Sequence, residues 1–138
     1  MGVATSAADC RVLVVDDDPA IRRMVRAALD LEGYAVLTAA HGGEALELVA
    51  AHHPDVVLLD MQMPLVDGRE FARRLQERDL HPLLVTMTAD PGGRSWAGQI
   101  GAAAHLAKPF DLARLLAVVA TCCAAAYARC RRRPPRPT

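Results

Sequence analysis

Apolar residues along the chain fall into two alternating kinds of run. Short unbroken runs, Val12-Leu13-Val14-Val15, Val56-Val57-Leu58-Leu59 and Leu83-Leu84-Val85, fit strands buried on both faces of a parallel sheet. Tyr34 to Thr38 and Ala102 to Ala107 predict a second and a fifth strand. Between these runs the spacing becomes helical. Ile21, Met24, Val25, Ala28 and Leu29 form one apolar stripe in a helix opened by Pro19 and ended at Gly33, with Arg22, Arg23 and Arg26 facing out. Glu44 to His52 predicts a second helix carrying Ala45, Leu46, Leu48 and Val49, closed by Pro54. A third starts at Asp67-Gly68, turning Phe71, Ala72 and Leu75 inward and Arg69, Arg73, Arg74 and Arg78 outward. Pro91 to Ile100 predicts a fourth helix, short and loose, because Gly92, Gly93 and Gly98 each cost about 0.5–1 kcal/mol relative to alanine there. Asp111 caps a last helix, Leu112 to about Ala128. It is apolar nearly all round, so either its alanines are neutral surface or it buries more than one face, against a partner or a second copy.

Strands alternating with helices imply repeated right-handed crossovers and a three-layer α/β/α sandwich. The fold class expected is α/β, with a five-stranded parallel sheet in the flavodoxin-like order 2-1-3-4-5. That order makes the carboxyl ends of the first and third strands neighbours. The first strand runs into Asp16 and Asp17, the third ends at Asp60, the fourth leads to Thr86 and Thr88, and the fifth to Lys108-Pro109. Acids, hydroxyl and amine therefore emerge at one edge, where open α/β sheets place their chemistry. Crowded carboxylates repel one another unless a cation sits among them, and magnesium, a hard ion that takes oxygen ligands and is commonly shared with phosphate, is the natural guest, with manganese as a substitute. Lys108 is the only lysine in the chain, all fifteen other basic residues being arginine. A carboxylate beside a divalent ion, an amine and a hydroxyl is equipped to accept a phosphoryl group.

Length, composition and charge narrow the classes. The 138 residues, 52% hydrophobic and 23% charged, suit one compact domain. The organisation expected is a disordered segment over 1–9, a single domain over 10–128, and a basic disordered tail over 129–138. The formal net charge of zero hides an asymmetry, because Arg129, Arg131, Arg132, Arg133 and Arg136 lie in the last ten positions and leave the preceding body acidic. An acidic body does not suit a dedicated nucleic-acid domain. Cys10, Cys122, Cys123 and Cys130 form no metal-ligand spacing, and the adjacent pair suits neither a simple bridge nor a zinc clip. Reduced thiols are expected, no run reaches the length of a membrane span, and no secretory signal opens the chain, which points to the cytoplasm.

At this point the residues resemble a known family. Val14-Val15-Asp16-Asp17, Asp60-Met61-Gln62-Met63-Pro64 with Asp67-Gly68, Thr88-Ala89 and Lys108-Pro109-Phe110 are similar to the signatures of the response-regulator receiver domain of two-component signalling, over about residues 10 to 125. The resemblance implies that Asp60 is the phosphoacceptor, served by a sensor histidine kinase, a phosphotransfer protein or a small phosphodonor. It implies that Asp17, Asp60 and the backbone carbonyl of Gln62 bind magnesium directly and Asp16 through water. Thr88, Ala89 and Lys108 would bind the phosphoryl group, Thr88 and His105 would switch, and the Lys108-Pro109 bond would be cis. His105 is otherwise a plain strand histidine. The output implied is a downstream protein partner or a self-dimer through the face of the fourth helix, fifth strand and last helix. Beyond self-phosphorylation and self-dephosphorylation no catalysis is implied.

The chain departs from the family between Thr88 and Gly101, about two residues short and rich in glycine, which touches the output face more than the phosphorylation chemistry. Two other classes stay open. Asp16-Asp17-Asp18 has the Asp-x-Asp spacing of a haloacid-dehalogenase phosphatase with Asp16 as nucleophile, although Asp60 would then be idle. The chain also fits the receiver part of a transcriptional regulator; no helix-turn-helix pattern follows residue 128, so DNA contact would need a partner.

Overall fold

The computed structural model describes residues 9–62, 68–89 and 98–130. Its strands are β1 (Arg11–Val15), β2 (Ala35–Ala39), β3 (Val56–Asp60), β4 (Leu83–Thr88) and β5 (Ala104–Ala107); its helices are α1 (Pro19–Leu31), α2 (Gly42–His52), α3 (Gly68–Glu77) and α4 (Leu112–Cys130). The sheet is parallel throughout, in the order β2-β1-β3-β4-β5. The fold class is therefore the one expected. The predicted fourth helix falls mainly outside the described residues, as do Met63, Pro64, Asp67, residues 1–8 and the arginine-rich residues 131–138.

Strand periodicity divides the core. Val12, Val14, Val56, Leu58, Val85 and Met87 point to the face covered by α1 and α4, where they meet Val25, Leu29, Leu115 and Val119. Leu13, Val15, Val57 and Leu59 point to the other, against Ala45, Leu46 and Val49 of α2 and Phe71, Ala72 and Leu75 of α3. Burying β3 on both faces in this way stabilises by about 1.5–3 kcal/mol per large aliphatic side chain before chain entropy is counted, and all five residues of the strand that carries Asp60 are buried. The opposite end of the sheet is pinned by Asp55, whose carboxylate accepts from the Arg11 backbone N–H at 2.8 Å.

Helix ends follow local chemistry. Asp18 Oδ1 accepts from the Ala20 N–H at 2.9 Å to cap α1, and Gly33, at φ +91°, supplies the left-handed turn into β2. On the exposed side of α3, Glu70 and Glu77 hold Arg73, and Glu70 also holds Arg74.

Four expectations need correction. Cys10 and Cys123 form a disulfide with Cα atoms 5.9 Å apart, and Cys122 is the buried free cysteine among the described residues. The sheet brings the start of β1 beneath the fourth turn of α4, a closeness that spacing along 113 residues does not reveal. Arg22 is half-buried rather than outward, and Met24 is 42% exposed at the margin of its stripe rather than inward. Finally, Leu112–Arg129 is long and apolar enough to cross a membrane, with mean hydropathy 1.5. Alanine and cysteine raise that value, and α4 packs Leu115, Val118, Val119, Cys122 and Cys123 into the domain core.

Candidate functional site

β1 and β3 are adjacent and in parallel register, Val15 opposite Leu59, so their next residues, Asp16 and Asp60, emerge side by side. Asp16 is fully buried and Asp60 is 3% exposed. Each is fixed by the turn that follows: Asp16 Oδ1 accepts from the Asp18 N–H at 2.9 Å, and Asp60 Oδ1 accepts from the Gln62 N–H at 3.0 Å. Asp17 lies exposed at the rim, and the three carboxylates offer oxygens all within 4.8 Å of one another.

Lys108 enters from β5. Its backbone N–H bonds the Thr88 carbonyl at 2.9 Å and the Lys108-Pro109 peptide is cis. The ammonium donates to Asp16 Oδ2 at 2.8 Å and stands 3.6 Å from Asp60 Oδ2. It thus spans both buried acids and sits closer to Asp16. Burial pushes the Asp60 carboxyl up from 3.8 to about 6; the Gln62 N–H opposes this, Asp16 adds to it, Lys108 opposes it and Asp17 adds to it. A buried acid held this way gains from any cation that joins it.

Thr88 ends β4 at 1% exposure, opposite Ala107, while Ala89 and Gln62 lie exposed beside it in sequence and at the β3 end respectively. His105 is half-buried on β5, and its Nδ1 is hydrogen-bonded to the fully buried Thr86 Oγ1 at 2.8 Å. The edge therefore gathers Asp16, Asp17, Asp60 and Lys108, with Thr88 at the neighbouring strand end; His105 is directed to Thr86. Asp18, the second acid of the Asp-x-Asp spacing, is occupied as the cap of α1.

Two participants escape the sequence pattern. Arg22 Nη1 donates to the Asp16 backbone carbonyl at 2.7 Å, tying the first turn of α1 to the acidic loop. Gly68 lies against Met61: a Cβ there would come 3.0 Å from the Met61 Cα and closer still to its sulfur. The Asp67-Gly68 dipeptide signals a helix start, but the close approach behind Gly68 is a tertiary contact.

The donor set is all hard oxygen among the described residues, which suits magnesium or manganese and not a thiophilic ion. Of this chain, residues 12–120 match the family described as the response regulator receiver domain. The Response regulator MprA of Mycolicibacterium vanbaalenii is 46% identical over 109 residues, covering 78% of this chain and 47% of that protein. The chain thus spans about half the length of the curated relatives it matches. Among solved structures, the Vibrio cholerae chemotaxis protein CheY4 is 33% identical with a TM-score of 0.74, covering 80% of this chain and 95% of that one. A CheY-like receiver domain protein of Methanospirillum hungatei is 27% identical with a TM-score of 0.78, covering 86% and 97%. With its fold, its acid and lysine edge and a match over most of its length, the chain belongs to the response-regulator receiver domain family of two-component signalling.

Proposed function

We propose that this chain accepts a phosphoryl group on Asp60 from the phosphohistidine of a sensor kinase or phosphotransfer protein, or from a small phosphodonor, and so switches a protein contact. The observation that carries the reading is the pair of distances around Lys108, 2.8 Å to Asp16 and 3.6 Å to Asp60, inside a cluster of three carboxylates. Asp16, Asp17, Asp60 and the Gln62 backbone carbonyl would hold magnesium, which neutralises charge on the transferring oxygens.

The chain's own groups divide the work. The Gln62 N–H occupies Oδ1 of Asp60, leaving Oδ2 as the oxygen that attacks phosphorus. A P–O bond forms there as the P–N bond to the donor imidazole breaks, and the imidazole keeps the electron pair and takes a proton from solvent. Lys108 moves from Asp16 towards the new phosphoryl oxygens, a short displacement since it already reaches both acids. The hydroxyl of Thr88 and the backbone at Ala89 complete the anion's contacts. Withdrawal of Lys108 from Asp16 and of Thr88 towards the phosphoryl group alters β4 and β5, and His105, held by Thr86, is the side chain that passes the change to the face around α4. That face would meet a downstream protein or a second copy.

Relatives of which the matched residues make up 47% favour a second description of the same chemistry, in which these residues are the receiver part of a longer regulator. A cytoplasmic setting follows from the kinase donor in either case. The test is to add magnesium and beryllofluoride, which mimics the phosphoryl group on a carboxylate, and follow backbone amide resonances. Shifts should cover Asp60, Thr86, Thr88, His105 and Lys108 and vanish in Asp60→Asn; an unperturbed spectrum would refute the proposal.

A further inference from the structure

At the end of β1 opposite the carboxylates lies a second site of covalent chemistry. Cys10, at the entrance to β1, is 2% exposed and Cys123, on α4, is 5% exposed; their sulfurs are bonded. Cys122, the neighbour of Cys123, is buried in the same apolar cluster as both. Three of the chain's four cysteines therefore meet in one part of the core. α4 owes its place to contacts with α1, β3 and β5, so the bond joins the last helix covalently to the first strand of the domain.

We propose that Cys10 and Cys123 are a reversible redox site that takes a dithiol or disulfide exchange partner and sets how firmly α4 is docked on the sheet. In the reducing direction, a thiolate of the partner attacks one sulfur of the pair. A mixed disulfide forms and the other protein sulfur leaves as a thiolate. The partner's second thiol then closes its own disulfide and releases the remaining cysteine. Two electrons pass to the protein, and two protons end on Cys10 and Cys123. Reversal by an oxidised dithiol restores the bond. Burial raises the Cys122 thiol pKa, which keeps it protonated at neutral pH and a poor nucleophile, so it does not capture the bond from its neighbour.

Cys10 and Cys123 are both buried, so exchange requires α4 to lift, and oxidation opposes that lifting. The chain segment enclosed by the bond spans nearly the whole domain, the arrangement in which a cross-link restricts the unfolded chain most. Once reduced, the two thiols still pack as small apolar groups, so the helix stays in place but opens more readily.

The test begins with protein equilibrated against an oxidised dithiol, denatured and alkylated, beside a sample first treated with reduced dithiol. Alkylation should reach two of the four cysteines in the first, where the Cys10 and Cys123 peptides are linked, and all four in the second. Amide hydrogen exchange over residues 119–126 should be at least about tenfold slower when oxidised, and the thermal midpoint at least about 5 °C higher. Cys122→Ala should behave as the wild type, and Cys123→Ser should lose the response to redox state. Asp60→Asn should keep it, which separates this site from the phosphoacceptor. Four alkylated cysteines after oxidation, a link to Cys122 instead, or equal exchange in both states would overturn the proposal.

Discussion

Asp60→Asn removes a carboxylate that burial disfavours. The carboxyl is 3% exposed and its pKa is driven from 3.8 to about 6, chiefly by burial. A displacement of that size corresponds to about 3 kcal/mol. The sign follows from proton binding. Between the unfolded and folded values the native protein keeps a proton that the unfolded chain releases, so the group's stabilisation present at low pH is lost as pH rises through about 6. An asparagine cannot ionise and can still accept from the Gln62 N–H through Oδ1. Part of the gain is given back because the amide nitrogen must sit near the Lys108 ammonium, now 3.6 Å from Asp60 Oδ2. Asp60→Asn should therefore stabilise the metal-free protein by about 1–3 kcal/mol at about pH 7.5, shrinking towards zero near about pH 4. Urea unfolding followed by circular dichroism, with chelator present, measures both. A variant no more stable than wild type at neutral pH, or a gain that does not change with pH, would refute the reasoning.

The same geometry leads to three shorter predictions. Magnesium must expel the proton held on Asp60 below about 6, so its affinity, measured calorimetrically, should fall about tenfold from neutral pH to about pH 5; a flat profile would mean that Asp60 is not a ligand. Lys108→Ala leaves the fully buried Asp16 without its 2.8 Å donor and should cost about 1–3 kcal/mol in urea unfolding, while magnesium binds more tightly to the more negative site; weaker magnesium binding would count against the shared cluster. Gly68→Ala drives a methyl to 3.0 Å from the Met61 Cα and should destabilise by about 1–3 kcal/mol even though alanine favours helix, and a neutral or stabilising result would show that the turn after β3 yields freely.

The parts of the molecule that were legible in sequence are those governed by local pattern. Val12 to Val15 and Val56 to Leu59 fit strands covered on both sides, and from their order came the meeting of Asp16 with Asp60. The positions of Asp60, Thr88 and Lys108 at strand ends follow from the same periodicity. What stayed hidden depends on distance in three dimensions. Nothing near Cys10 announces Cys123, and nothing in an arginine-rich helical face sets Arg22 apart from Arg23 and Arg26; a helix turns about 100° per residue, so Arg23 faces elsewhere and Arg26 lies a turn further from the loop, which leaves Arg22 to reach the Asp16 carbonyl. The Thr86 to His105 hydrogen bond requires the β4–β5 register, which apolar runs do not specify to the residue. Alanine is equally at home inside and outside, which is why the exposed and buried faces of α4 could not be told apart.

The central claim, that Asp60 is the residue that takes the phosphoryl group, is tested most directly by mapping the product. Wild-type protein treated with magnesium and a phosphohistidine donor should gain one hydroxylamine-sensitive phosphoryl group, located by mass spectrometry on Asp60, and the folded Asp60→Asn variant should gain none. A label that survives in that variant, or that maps to Asp16 in the wild type, would contradict the account.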